Sequence, residues 1–92
     1  MLQGEAGLSV PISLIFGVVM DVVSVIHKRL GQRIYQLRKE REMTQEDLAF
    51  KVGVDRSYMG FVERGEKNAT VKILAKIAFA LKVSLSELFR SV

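Results

Sequence analysis

Thr44-Gln-Glu-Asp-Leu-Ala-Phe-Lys-Val-Gly-Val-Asp-Arg-Ser-Tyr-Met-Gly-Phe-Val-Glu-Arg-Gly65 has the pattern of two short helices meeting at one tight turn. Thr44, with Asp47 three positions on, has the form of an N-cap and its reciprocal acid. Leu48, Ala49 and Val52 make the inward arc of the first helix. Gly53 stops it, because a residue without Cβ accepts the left-handed conformation that ends helices. Asp55 is expected to cap the second helix, which runs through Arg64 and is closed by Gly65. Ala49 is small enough for the two helices to approach closely, and Val54, Met59 and Val62 are spaced to lock them together.

Outward from this pair the same punctuation repeats. Thr70 opens a further helix whose inward stripe is Ile73, Leu74, Ile77, Ala78 and Leu81. Ser84 and Glu87 form a second capping box, followed by Leu85, Leu88, Phe89 and Val92 on one face. Upstream, at about 100° per residue, Val19, Val23, Ile26, Leu30, Ile34 and Leu37 share a stripe, with Asp21, Ser24, Lys28, Gln32 and Lys39 opposite. That spacing predicts one amphipathic helix from near Val18 to Glu42. The total is five helices and no strand signal, an all-α bundle. The leading segment from Leu8 to Phe16 is expected to be a strand-like arm or a loosely held tail.

Charge divides the chain in two. Residues 1–27 hold no Lys or Arg and two acids, Glu5 and Asp21, whereas residues 28–92 hold all 14 bases against 8 acids, a net of +6. The larger part is therefore expected to be the working domain and to face something anionic. Residues 1–27 form an apolar N-terminal extension. A signal peptide would need a basic start, which is missing. A membrane span would have to take in Asp21, which disfavours it. Three readings of residues 1–20 stay open: an arm or extension of the first helix, a membrane anchor, or sequence upstream of a start at Met20.

Catalysis is not expected. Without cysteine there is no thiolate metal site, disulfide scaffold or cysteine nucleophile, and the single His27 cannot build a histidine metal site. No phosphate loop, dinucleotide fingerprint or nucleophile elbow is present. Neither cofactor nor metal is expected.

The paired helices have the helix-turn-helix arrangement. Between about Leu30 and Phe89, the Gln-Glu-x-Leu-Ala, Val-Gly-Val, Val-Glu-Arg-Gly and Leu-Ser-Glu-Leu-Phe motifs resemble the Cro/repressor-type (XRE-like) helix-turn-helix family. The resemblance is nearest to the short controller proteins of restriction–modification operons. It implies a five-helix repressor-like bundle that binds double-stranded DNA in the cytoplasm as a transcription regulator. Helical geometry supports it independently: Arg56, Ser57, Gly60 and Arg64 fall within an arc of roughly 100°. That arc offers two guanidinium groups suited to guanine, a hydroxyl, and a position without a side chain. Phe61 flanks it. Thr44 and Gln45 begin a helix whose free N–H groups suit a phosphate.

Other roles follow from the resemblance alone. Gln45 would clamp the DNA backbone and brace the recognition residues, and Lys67, Asn68 and Thr70 would make a second phosphate contact. Arg38 and Glu63 match a family ion pair that fixes the recognition helix. Family members form two-fold dimers. Here Phe79 lies outside its helix's inward stripe, which nominates Phe79, Leu85 and Phe89 for the seam of a homodimer on a pseudo-palindromic operator. Two other classes stand beside this one: an antitoxin-like or adaptor module gripping a protein partner through the N-terminal block, and a membrane-tethered DNA-binding domain.

Overall fold

Helix ends fall where capping chemistry sets them. The computed structural model describes residues 9–92, as α1 (Ile12–Glu40), α2 (Gln45–Val52), α3 (Arg56–Glu63), α4 (Val71–Leu81) and α5 (Leu85–Leu88). No strand occurs among the described residues. Thr44 and Ser84 each close a reciprocal capping box with Asp47 and Glu87, and the Thr70 hydroxyl accepts the Ile73 N–H. Gly53 ends α2 at φ 86°, in the left-handed region that glycine enters without strain. Asp55 departs from expectation: it occupies the N-cap position of α3, but its side chain makes no capping bond.

The core lies where the helices converge. Ile34 from α1, Leu48 from α2, Met59 from α3, Ile77 and Leu81 from α4, and Leu88 from α5 are fully buried. Each contributes roughly 1.5–3 kcal/mol by leaving water. Gly31 lets α1 and α3 meet: a Cβ there would run into the backbone carbonyls of Val62 and Glu63. Arg33 ties α5 to α1 by donating from Nε and NH2 to the Glu87 carbonyl at 3.2 and 3.0 Å. That carbonyl is one of those a helix end leaves without an intrahelical partner.

The first helix corrects the expected start. It begins at Ile12, after Pro11, so Ile12–Phe16 is helical and not a strand-like arm. A lone strand in this position would have no ladder to satisfy its backbone, whereas a helix satisfies it internally. Leu8 and the residues before it lie outside the described residues. The helix passes the composition boundary at His27 without a break. Its 29 residues span about 44 Å, which is why the molecule measures 55 × 24 × 20 Å. The inward stripe holds only in part: Leu30, Ile34 and Leu37 are buried, whereas Val19 and Ile26 are exposed because the bundle does not extend beneath them. Of the large apolar side chains from Val10 to Ile26, all but the half-buried Val23 are exposed. No described helix is long and apolar enough to cross a membrane.

Candidate nucleic-acid interface

The outward arc of α3 is anchored from beneath. Arg38 donates to Glu63 through Nε at 2.7 Å and NH2 at 2.9 Å, both side chains being almost wholly buried. Its third donor, NH1, reaches the Met43 carbonyl at 2.8 Å, so α1, the α1–α2 turn and α3 share one guanidinium. The bond to Glu63 raises the Arg38 pKa, against the lowering effect of burial, and the side chain stays charged. A forked, charge-assisted pair of this kind holds orientation as well as distance.

Gln45 carries that anchoring to the surface. Its Nε2 donates to Glu63 Oε1 at 3.0 Å, and its Oε1 accepts from Arg56 NH1 at 3.3 Å. A continuous path therefore runs from the buried pair through an amide to an exposed arginine at the start of α3. Ser57 beside it is exposed. At the N-terminus of α2, the Thr44 N–H bonds Asp47 Oδ2 at 2.9 Å, which together with the Thr44 hydroxyl holds the Asp47 carboxyl below its ordinary value. One backbone donor there is thus taken by the protein's own carboxylate.

The far end of the arc differs from the sequence reading. Gly60 is buried, although it sits on the outward side, because Gln45 and Arg64 fold over it. Phe61 is half-buried, with the Arg64 guanidinium 5.0 Å and the Lys67 ammonium 5.6 Å from its ring centroid. Arg64 also pairs with Glu66 at 3.3 Å. Sequence reasoning missed Glu66, which carries no pattern signal beyond its nearness to Arg64. Lys67 and Asn68 are exposed in the α3–α4 loop, and Thr70 caps α4.

Phe79 is 85% exposed, and Leu85 and Phe89 are 38% and 39% exposed. Phe50 on α2, equally exposed at 86%, went unremarked in the sequence. The signal was its place just outside the Leu48, Ala49 and Val52 arc. No cluster of His, Asp or Glu able to hold a metal occurs among the described residues.

The helix-turn-helix family HTH_3 matches residues 34–88. The control protein C.MunI of a Mycoplasma species is 37% identical over 65 residues, covering 70% of this chain and 88% of that protein. Among solved structures, the restriction–modification controller protein C.AhdI from Aeromonas hydrophila is similar at a TM-score of 0.65 and 44% identity, over 66% of this chain and 92% of that one. A chain of the SinR–SinI protein complex matches at a TM-score of 0.64 and 38% identity, over 67% of this chain and 61% of its own length. With this fold, this turn and this outward arc, the chain belongs to the HTH_3 helix-turn-helix family and is a DNA-binding transcription regulator of the controller-protein type.

Proposed function

We propose that the protein is a sequence-specific double-stranded DNA-binding regulator that works as a homodimer on a pseudo-palindromic operator, with residues 28–92 as the DNA-binding domain. The observation that carries this reading is the path from the buried Arg38–Glu63 pair through Gln45 to Arg56. It preorganises an exposed guanidinium at the start of α3, where major-groove readers carry their base contacts. Arg56 reads a guanine by its forked donors, and Ser57 bonds a base edge or phosphate beside it. Thr44, Gln45, Lys67, Asn68 and Thr70 grip phosphates on either side, which sets register and affinity but carries little sequence information. Phe79, Leu85 and Phe89 form the seam, which leaves the arc of α3 free.

A titration at fixed salt tests this. Arg56→Ala is expected to lose roughly 1–3 kcal/mol on the preferred site and almost nothing on random duplex. Equal losses on both would reduce Arg56 to a phosphate contact.

A second, compatible reading rests on the exposed apolar half of α1. An apolar surface of that extent is more often a partner's seat than a solvated face, and the relative SinR is named in a complex with SinI. In this reading the segment from Val10 to Ile26 binds a protein partner. A chain beginning at Lys28 is then expected to keep operator binding while losing the partner that the full chain co-purifies with.

A further inference from the structure

Arg64 is held by two contacts and folds over a glycine. Its Nε lies 3.3 Å from Glu66 Oε1, its guanidinium rests 5.0 Å from the Phe61 ring centroid, and its NH1 lies only 3.2 Å from where a Cβ on Gly60 would stand. Closing the end of α3 does not require this. Backbone donors already serve the last carbonyls: Arg64 N–H bonds the Gly60 carbonyl, Gly65 the Val62 carbonyl and Glu66 the Phe61 carbonyl. Holding an exposed arginine costs rotamer freedom, so the Glu66 pair and the Phe61 ring act on the direction of the guanidinium.

That direction runs back along α3 toward Arg56. Eight residues of helix rise separate the two Cα atoms by about 12 Å, but Arg64 folds over Gly60, one turn nearer. Gln45 Oε1 borders the same gap, 3.4 Å from the position of a Gly60 Cβ, and accepts from Arg56 NH1 at 3.3 Å. These distances keep the two NH1 atoms within about 10 Å of each other, roughly three base-pair steps of duplex. Glu66 engages Nε rather than the NH1–NH2 edge, and the Arg64 side chain is 55% exposed. Two donors on one edge match the O6 and N7 acceptors of guanine.

We propose that Arg64 is a second base-reading residue, aimed by Gly60, Phe61 and Glu66, so that each operator half-site presents two guanines no more than about three base-pair steps apart. The inference rests on the major-groove reading of α3 and adds to it a second specified base. Phe61 is then a stacking platform for cations and makes no thymine contact of its own. Glu66 and Gly60 become positioning residues.

Selection of bound sequences from random duplex DNA, run on the full chain and its variants, tests this. The unaltered protein is expected to select two guanines per half-site at that spacing. Arg64→Ala is expected to relax one of them about ten-fold and leave the other, whereas Arg56→Ala relaxes its counterpart. Gly60→Ala, at a position with no positive φ, introduces a better helix former. It is expected to raise the thermal midpoint while relaxing the Arg64 guanine. Glu66→Gln keeps the side chain's size and is expected to relax the same base.

If Arg64→Ala weakens every sequence alike, Arg64 is a phosphate contact and the inference fails, though the DNA-binding reading survives. If Gly60→Ala and Glu66→Gln both leave the selected base unchanged, the positioning roles fail. If no sequence is enriched at all, the functional reading itself falls.

Discussion

Arg38 and Glu63 expose 7% and 4% of their side chains. Removing either one strands a charge where water cannot replace its partner. Arg38→Met or Glu63→Gln is expected to lower the unfolding free energy by about 3 kcal/mol in urea titrations. Arg38→Met combined with Glu63→Leu should recover most of that loss, since two apolar groups leave nothing unpaired; a double variant as unstable as its worse parent would contradict this. The pairing partners stand 25 residues apart, and no helical periodicity links them. Only the resemblance to known repressors brought them together. The Gln45 bridge was legible as a role and not as a geometry. Glu66 was not legible at all, because an acid two residues past an arginine is ordinary in a surface loop until the backbone turns the two side chains toward each other.

Among the elements, α2 and α5 both start on a reciprocal capping box, and at α2 the box also shifts a carboxyl pKa. Bonds from the Thr44 backbone N–H and hydroxyl depress the Asp47 pKa from an ordinary 3.8. A depressed carboxylate contributes stability that is fully present above the ordinary value and is lost as pH falls through the lowered one. The capping box is therefore expected to open only below the ordinary carboxylate range. Thr44→Ala should return the Asp47 midpoint toward 3.8 and cost about 1 kcal/mol, read by carboxyl NMR titration and by denaturation. An unmoved midpoint in Thr44→Ala would assign the depression elsewhere. These caps were readable because each needs only residues three apart. The start of α1 was not: Pro11 supplies no side-chain cap, and β-branched residues suit either strand or helix until it is known that no strand lies alongside.

For the whole molecule, the proposed seam at Phe79, Leu85 and Phe89 competes with the apolar half of α1. Phe79→Lys is expected to give monomers by sedimentation, while chains starting at Met20 or Lys28 remain dimeric and bind the operator. A monomeric truncated chain, with full-length Phe79→Lys still dimeric, would move the seam to α1. The two surfaces differ in kind. Phe79 is one aromatic ring on an otherwise basic face with Lys72 and Lys76, whereas α1 from Ile12 to Ile26 is apolar on nearly every side. A two-stranded seam covers only one stripe of such a helix, so pairing α1 with a second copy would leave much of it in water.

The number of helices, the caps at Thr44, Thr70 and Ser84 and the turn at Gly53 were determined by the sequence itself, because each rests on residues within one or two helical turns. Tertiary structure alone decided where the inward stripe of α1 stops being inward, since burial at Leu30 and exposure at Ile26 depend on where the other helices end. It also decided that Gly60 is a gap shared by Gln45 and Arg64. That gap exists only because α2 lies across α3, at a distance no local pattern records.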